Sequence, residues 1–382
     1  MKGYRCLVAL LALALLLSCG MAEEIPISSI TVSEAVDAAP DAGEDDRDAE
    51  ADLREILARM TLGEKVGQLL LVSCHGSGVA QRAARYGVGG LCLYANAFQG
   101  KSRDEVRRMI SELQDASKVP LLISVDEEGG SVCRVSSNPQ LRSARFRAPR
   151  ALYEAGGWEL VESDTAEKAA LLLDLGINVN LAPVCDMPLR SSDYIYSRSF
   201  GLDAERTAEY VGRVVQIMRA RGIGATLKHF PGYGGSGDTH AGMVRDDRPY
   251  GAFESADFLP FAAGIAAGAG SVMVSHNVVV CMDPERPASL SPEVHRILRE
   301  ELGFEGVIIT DDLQMGAISQ YSGERGAVVQ ALLAGNDLIC CSDYKAASAA
   351  IFAAIDRGLI STEQIEASAL RVLRWKRSLG LI

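Results

Sequence analysis

The chain has 382 residues, of which 50 are acidic and 38 basic, and a formal net charge of −12 at pH 7. Residues 21–52 hold eleven acidic residues and one basic residue, so most of the excess charge belongs to one short stretch and says little about a substrate. No basic patch stands out, which argues against nucleic acid as a partner.

The first residues have the pattern of a bacterial export signal. Lys2 and Arg5 precede an apolar run over residues 6–17, which is too short to span a bilayer, since that takes roughly 20 residues. Cys19 directly follows Leu-Leu-Ser, and this order resembles a lipobox, whose cysteine is acylated and becomes the mature N-terminus. The alternative is an ordinary cleavage site with an incidental cysteine. We expect residues 1–19 to be a lipoprotein signal peptide, and the protein to be exported and lipid-anchored to a membrane of the bacterial cell envelope.

Composition divides the rest of the chain into a linker and a domain. Residues 20–52 have the high charge and low aromatic content of a disordered linker, and residues 53–382 form one domain. That domain has no CxxC pair, and Cys92, Cys340 and Cys341 lie in apolar runs, so we predict buried thiols rather than disulfides. Five histidines without ligand spacing predict no metal site, and we expect no cofactor.

Beyond residue 60, short apolar runs alternate with segments of helical periodicity. The predicted strands are Leu69–Ser73, Gly90–Tyr94, Pro120–Asp126, Ile177–Pro183, Ala225–His229, Ser271–His276, Val307–Asp311 and Asp337–Cys341. They are rich in Leu and β-branched residues and mostly lack period-two alternation, as strands buried on both faces of a parallel sheet do. Helix start signals occur at Thr61, which begins a capping box, and at Ser291-Pro292. Eight strands alternating with helices predict an α/β fold, a single (β/α)₈ TIM-type barrel.

Polar residues collect where several predicted strands end, which is where a barrel of this type builds its active site. They are Asp126 to Glu128 after the third strand, Lys228-His229 after the fifth, His276 after the sixth and Asp311-Asp312 after the seventh. A glycine-rich loop, residues 232–240, follows Lys228-His229 and contains Asp238 and His240. An aspartate close to a histidine suits an oriented imidazole for proton transfer.

Six motifs, in this order and spacing, point to a family. They are MTLGEKVGQLLLV at 60–72, SVDEEGGSVCRV at 124–135, SRSFG at 197–201, KHFPGYG at 228–234, DTH at 238–240 and TDDLQM at 310–315. Over about residues 53–382 the chain resembles the β-N-acetylglucosaminidases of glycoside hydrolase family 3. The segment from residue 369 to 382 is similar to the usual end of that family's barrel domain, so we expect no second αβα domain.

The resemblance implies roles for individual residues. Asp311 matches the family's nucleophile, and Asp238 and His240 match the dyad that distinguishes its N-acetylglucosaminidases from its β-glucosidases. The positions that would hold the sugar hydroxyls are Asp126, Arg134, Arg198, Lys228 and His229. Three alternatives stay open: Arg198 pairs with a barrel carboxylate, His229 is a buried structural histidine, and Glu127 and Glu128 brace a loop.

The chain also departs from the family's usual pattern. Tyr233 stands where a histidine is common, Ser131 where an arginine is common and Glu127 where a glutamine is common. The interval from Lys228 to Asp238 is one residue shorter than expected. A shortened loop can still deliver His240 by closing over the substrate, or it displaces the dyad.

The resemblance implies a retaining exo-β-N-acetylglucosaminidase that works through a covalent glycosyl-enzyme at Asp311. Its substrate would be a carbohydrate with a terminal β-linked GlcNAc, on peptidoglycan fragments or chito-oligosaccharides, and the protein would be a monomer. The alternatives are an N-acetylglucosaminide phosphorylase or a β-glucosidase on the same scaffold, and a non-catalytic glycan-binding lipoprotein.

Overall fold

The computed structural model describes residues 44–235, 237–239, 242–315, 318 and 326–382, and the side chains from residue 50 onward. The predicted signal peptide with Cys19, the linker as far as residue 43, and His240 lie outside the described residues. Among those described, no helix is long and apolar enough to cross a membrane.

Eight parallel strands form one sheet that is nearly closed into a barrel. They are β1 (Leu70–Cys74), β2 (Gly90–Leu93), β3 (Leu122–Val125), β4 (Val179–Asn180), β5 (Gly224–Phe230), β6 (Ser271–Val274), β7 (Val307–Thr310) and β8 (Ile339–Cys341). Their order is β7-β6-β5-β4-β3-β2-β1-β8, and a parallel bridge between Ile309 and Leu338 joins the two ends. Each of the eight predicted strands is confirmed, and the observed strands are mostly shorter than predicted.

The sheet is buried on both sides because its strands carry few polar residues. All four residues of β7 are buried, as are all four of β2 and of β6. One apolar cluster combines side chains from every strand except β5. They include Leu71, Cys92, Leu122, Val179, Met273, Ile309 and Cys340. Trp375 and Val372 of the last helix belong to the same cluster. The larger apolar cluster packs between the strands and the surrounding helices.

The helices lie outside the barrel, and six of those described start at a side-chain cap. They are α1 (Glu44–Arg59), α2 (Leu62–Gln68), α3 (Val79–Tyr86), α4 (Ala95–Phe98), α5 (Arg103–Asp115), α6 (Pro149–Asp174), α7 (Ala204–Ala220), α8 (Phe258–Ala266), α9 (Pro292–Arg296), α10 (Gly326–Ala334), α11 (Tyr344–Asp356) and α12 (Thr362–Ser378). A helical turn, Tyr250–Ala252, and a π-helical segment, Phe253–Asp257, lead into α8; a 3₁₀ turn, Ala288–Leu290, precedes α9, which continues as the π-helical segment Ile297–Glu301. The capping box at Thr61 and the Ser291 cap are confirmed.

Helix α1 begins inside the stretch predicted as a disordered linker. Its apolar residues Leu53 and Leu57 are buried, and Glu50 accepts two hydrogen bonds from Arg374 of α12, at 2.6 and 2.7 Å. Residues 44–52 thus belong to a helix and not to a disordered linker. The linker prediction depended on the acidic composition, which the amphipathic pattern of α1 outweighs.

Two short strand pairs lie in the loops that follow the barrel strands. Glu127–Gly129 pairs antiparallel with Val132–Cys133 after β3, and Arg245–Asp246 pairs parallel with Val278–Val279 after β5 and β6. The three cysteines predicted as buried thiols, Cys92, Cys340 and Cys341, are buried and not in disulfides.

Candidate active site

Strand β5 carries the first two predicted site residues to its carboxyl end. Lys228 is 1% exposed, and its Nζ lies 2.8 Å from Asp126 Oδ1 and 2.6 Å from Glu128 Oε1, both beyond the end of β3. Burial alone would lower the pKa of Lys228, but the attraction of the two carboxylates raises it. Lys228 is therefore a fixed ammonium.

Arg198 joins the same cluster from the loop after β4. Its Nη2 donates to Glu128 Oε1 at 2.7 Å and its Nε to Oε2 at 3.0 Å, a two-pronged contact between planar groups. Burial alone would raise the pKa of Glu128, but Arg198 and Lys228 outweigh burial and hold it well below its usual range. Arg198 therefore pairs with a barrel carboxylate, which is one of the alternatives that the sequence left open.

Arg134 approaches from the other side of Asp126. Its Nη2 donates to Asp126 Oδ2 at 3.3 Å, and its guanidinium lies 5.4 Å from the ring centre of Tyr94. No described residue accepts a hydrogen bond from the buried Nε of Arg134. These five residues, Asp126, Glu128, Arg134, Arg198 and Lys228, are called the charge cluster below.

His229 is held by a carboxylate that sequence reasoning missed. Asp186 is fully buried, and its Oδ2 lies 2.7 Å from His229 Nδ1 and accepts from the His229 backbone N–H at 3.2 Å. At the other ring nitrogen, Nε2 of His229, Arg198 Nη2 lies 3.4 Å away. Because a guanidinium only donates, Nε2 is the acceptor and the ring proton sits on Nδ1, toward Asp186. The signal in the sequence was an aspartate three residues after Pro183, where the fourth predicted strand ends.

Glu127 braces the loop after β3, one of the interpretations left open. Its carboxylate accepts from the backbone N–H groups of Arg134 at 2.8 Å, Val135 at 2.7 Å and Ser136 at 3.2 Å, and from the Ser136 hydroxyl. The side chain is fully buried. It points into the loop that presents Arg134 and does not belong to the charge cluster.

Asp311 stands at the end of β7. Its backbone N–H donates to Val274 O at 3.0 Å, and its Oδ1 accepts from the Asp312 N–H at 2.8 Å. The next residue is tied down on two sides: Ser73 donates to Asp312 Oδ2 at 2.7 Å, and His276 Nε2 lies 3.0 Å from Asp312 O. His276, which follows the sixth predicted strand, thus contacts the backbone beside Asp311.

The glycine-rich loop brings Asp238 toward the same end of the barrel. Burial raises the pKa of Tyr194; Arg198 opposes this shift, while the charges of Asp238 and Asp311 add to it. Both carboxylates therefore lie near this phenol, whose Oη is 3.4 Å from Arg198 Nη1. The charges of Asp238 and Asp311 thus both act on Tyr194, which contacts Arg198 of the charge cluster, and His240 lies outside the described residues.

Two of the loop's glycines are required by its conformation. Gly232 has φ +125° and Gly234 has φ +52°. A Cβ on Gly232 would lie 2.3 Å from Asp257 Oδ1, and one on Gly234 would lie 2.4 Å from Arg248 Nη2. Arg248 pairs with Asp257 at 2.8 Å, so this part of the loop is packed on a buried ion pair rather than open to solvent.

The arrangement suits the binding and activation of a polar, uncharged ligand. Among the described residues, no group of three or more His, Cys, Asp or Glu side chains could hold a metal ion. Asp311 lies at the end of β7, and beyond the end of β3 two carboxylates pair with the three cations of the charge cluster. Such a set can hold hydroxyls by charge-assisted hydrogen bonds and supply a nucleophile.

Comparisons with known proteins identify the class to which this site belongs. The profile of the glycosyl hydrolase family 3 N terminal domain matches residues 61–375, most of the chain. The chain therefore belongs to glycosyl hydrolase family 3, as its motifs predict, and it is a glycoside hydrolase.

Individual relatives within this family carry more specific names. A β-hexosaminidase of Xylella fastidiosa (strain M12) is 36% identical over 263 residues, which are 66% of this chain and 75% of the relative. A β-hexosaminidase of Xanthomonas campestris pv. campestris (strain B100) is 34% identical over 300 residues, 74% of this chain and 89% of the relative. Among solved structures, a family 3 β-N-acetylglucosaminidase from Paenibacillus sp. str. FPU-7 superimposes with a TM-score of 0.78 at 35% identity. That match covers 84% of this chain but 63% of the Paenibacillus protein, so this chain spans less than two thirds of that neighbour's length.

Proposed function

We propose that the protein is a retaining exo-β-N-acetylglucosaminidase that removes terminal β-linked GlcNAc through a covalent glycosyl-enzyme at Asp311. The observation that carries the proposal is the position of the Asp311 carboxylate, at the end of β7, at the same end of the barrel as the charge cluster. The names of the relatives support the choice of β-hexosaminide over other β-glycosides.

The charge cluster would bind the sugar ring that is released. Lys228 Nζ has three donors, of which two contact Asp126 and Glu128, so one remains for a ligand hydroxyl. Arg134 offers its unpartnered Nε, and the carboxylate of Asp126 can accept from hydroxyl groups. Since the three cations of this cluster are largely compensated by two carboxylates, it favours a neutral pyranose over an anionic ligand.

In the first step, the Asp311 carboxylate attacks the anomeric carbon and forms an ester bond to it. The bond between that carbon and the leaving oxygen breaks, and its electron pair stays on the oxygen, which takes a proton from His240. Asp238 would orient the imidazole and stabilise its charged form before transfer. Asp311 suits the attack because its backbone and its neighbour Asp312 are fixed by hydrogen bonds to β6, Ser73 and His276.

In the second step, water attacks the anomeric carbon and the ester bond to Asp311 breaks. His240 takes the water proton, so the Asp311 carboxylate and the protonated imidazole are both restored. The product is free GlcNAc with the original β configuration. Phosphate in place of water would yield GlcNAc-1-phosphate, and the same assay can separate the two acceptors.

An aryl β-GlcNAc substrate tests the proposal. Wild-type protein should release the phenol, and Asp311→Ala should lose at least about a thousandfold in kcat, because the covalent intermediate cannot form. Asp312→Asn is a neighbouring control that keeps the Asp311 carboxylate. Mass spectrometry of protein trapped with a slow 2-fluoro sugar should show a glycosyl adduct on the peptide that holds Asp311. Wild-type turnover by Asp311→Ala would refute the mechanism, and phosphate-dependent formation of GlcNAc-1-phosphate would make the enzyme a phosphorylase.

We also propose, from the sequence alone, export and lipid anchoring through Cys19. Expressed in a bacterium, wild-type protein should partition with the membrane fraction and carry acyl groups on its N-terminal peptide. Cys19→Ala should lose the acyl groups, and an unmodified Cys19 in the mature protein would refute the anchor.

A further inference from the structure

One buried hydrogen bond closes the glycine-rich loop across its base. Tyr233 Oη lies 2.6 Å from Thr239 Oγ1, and both residues are buried, Tyr233 at 1% exposure and Thr239 at 0%. The bond joins the residue that precedes Gly234 to the residue between Asp238 and His240. It therefore encloses the second half of the interval from Lys228 to Asp238, whose length departs from the family pattern.

Tyr233 is itself fixed from the barrel side. Its backbone N–H donates to Asp186 Oδ1 at 2.9 Å, and its ring packs edge-on against His229, with the ring centres 5.1 Å apart. Asp186 Oδ2 holds His229 in turn. One fully buried carboxylate thus ties both the sugar-binding histidine and the start of the loop to the barrel.

The phenol also lies close to the chemistry. Burial raises the pKa of Tyr233 far above its usual value, and the charge of Asp311 adds to the shift. The phenol is therefore protonated and neutral at neutral pH. A neutral hydroxyl pair in a buried place keeps one geometry, because breaking it would leave two unpaired polar groups.

We propose that Tyr233 and Thr239 are positioning residues: their hydrogen bond sets where Asp238 and Thr239 stand relative to Asp311. The interval from Lys228 to Asp238 is one residue shorter than the family pattern. The hydrogen bond, rather than the length of the loop, therefore fixes the position of Asp238. The inference rests on the proposed function, because it assigns the bond's effect to the proton-transfer step.

The prediction is a loss that depends on the leaving group. Tyr233→Phe and Thr239→Val each remove one hydroxyl and keep the shape of the side chain. With an alkyl or sugar leaving group, which needs protonation, each variant should lose roughly tenfold in kcat. With 2,4-dinitrophenol as leaving group, which departs unprotonated, kcat/KM, which reports glycosyl transfer to Asp311, should change less than about twofold. Thr239→Ser, which restores a hydroxyl, should recover most of the loss.

A double variant and two controls complete the test. Tyr233→Phe combined with Thr239→Val should be no slower than either single variant, because both remove the same bond. Tyr250→Phe removes a phenol hydroxyl that donates to Glu301 at 2.5 Å, and should leave the rates with both leaving groups unchanged. Thermal unfolding checks that each variant is folded.

Several results would overturn the proposal. Equal losses with both leaving groups would mean that the bond supports the fold or the sugar site in general. Wild-type rates in Tyr233→Phe and Thr239→Val would mean that the bond does not place the loop. A wild-type protein without activity on any β-GlcNAc substrate would instead refute the proposed function, and this inference with it.

Discussion

Removing the negative charge of Glu128 should destabilise the protein strongly, because two buried cations depend on it. Glu128 is 4% exposed and accepts at 2.6 Å from Lys228 and at 2.7 and 3.0 Å from Arg198. In Glu128→Gln the shape is kept, but one oxygen becomes an NH₂ group that faces cationic donors. Breaking a buried ion pair from one side costs about 3–5 kcal/mol, and we expect a loss of that size in the free energy of unfolding.

Denaturant unfolding at pH 7 measures the effect, with Glu162→Gln as control. Glu162 pairs with Arg213 at 2.6 Å, but both side chains are more than a third exposed, so that loss should stay below about 1 kcal/mol. A loss below 1 kcal/mol in Glu128→Gln would refute the reasoning, since the cluster would then not depend on this charge.

The pH dependence of the difference is a second check. The pKa of Glu128 is held below its usual 4.5, so its charge stabilises the fold above that pH and the stabilisation is lost as pH falls through the folded-state pKa. The gap between wild type and Glu128→Gln should therefore be constant from pH 7 to 5 and shrink below pH 4.5. A gap that stays the same at pH 3 would contradict the assignment.

Three further outcomes are expected. Asp186→Asn should raise KM for β-GlcNAc substrates about tenfold in steady-state kinetics, because it releases the proton-bearing nitrogen of His229; an unchanged KM would contradict this. Burial lowers the pKa of Lys376 to about 7, so between pH 7 and 10 the unfolded state binds more protons and stability rises with pH; denaturant unfolding of Lys376→Met should lack this rise, of up to about 1.4 kcal/mol per pH unit. Gly232→Ala should lose several kcal/mol in the same measurement, because its φ of +125° and the contact at 2.3 Å with Asp257 leave no space, whereas Gly237→Ala, whose Cβ would meet its nearest neighbour at 3.7 Å, should be tolerated.

The barrel could be predicted because its pattern is local and repeated. Each strand is a short apolar run between polar segments. In a run such as Val307–Thr310 the residues that point to either face of the sheet are all buried. Strand ends were less accurate, because Pro120 and Pro183 continue the apolar pattern but have no N–H to donate and lie outside β3 and β4. Helix α1 was missed since its buried face, Leu53 and Leu57, is narrow beside its many acidic residues.

The site was predicted in its members but not in its internal contacts. The motifs include Lys228, Arg198 and Asp126. No local pattern predicts that Glu128 pairs with both Lys228 and Arg198. Asp186 was missed because it follows β4 in a stretch without periodicity and its partner is 43 residues away. The bond between Tyr233 and Thr239 depends on the path of a loop, which spacing alone does not determine.

The internal contacts also fix the cations of the charge cluster before a substrate arrives. Glu128 accepts from Lys228 and Arg198, and Asp126 accepts from Lys228 and Arg134. The ion pairs of Glu128 are buried, so they persist without a ligand. Three cations against two carboxylates leave one net positive charge, and one N–H of Lys228 remains for a ligand hydroxyl. If Asp311 acts as proposed, a cluster fixed in this way would hold a neutral sugar beside the attacking carboxylate without having to reorganise.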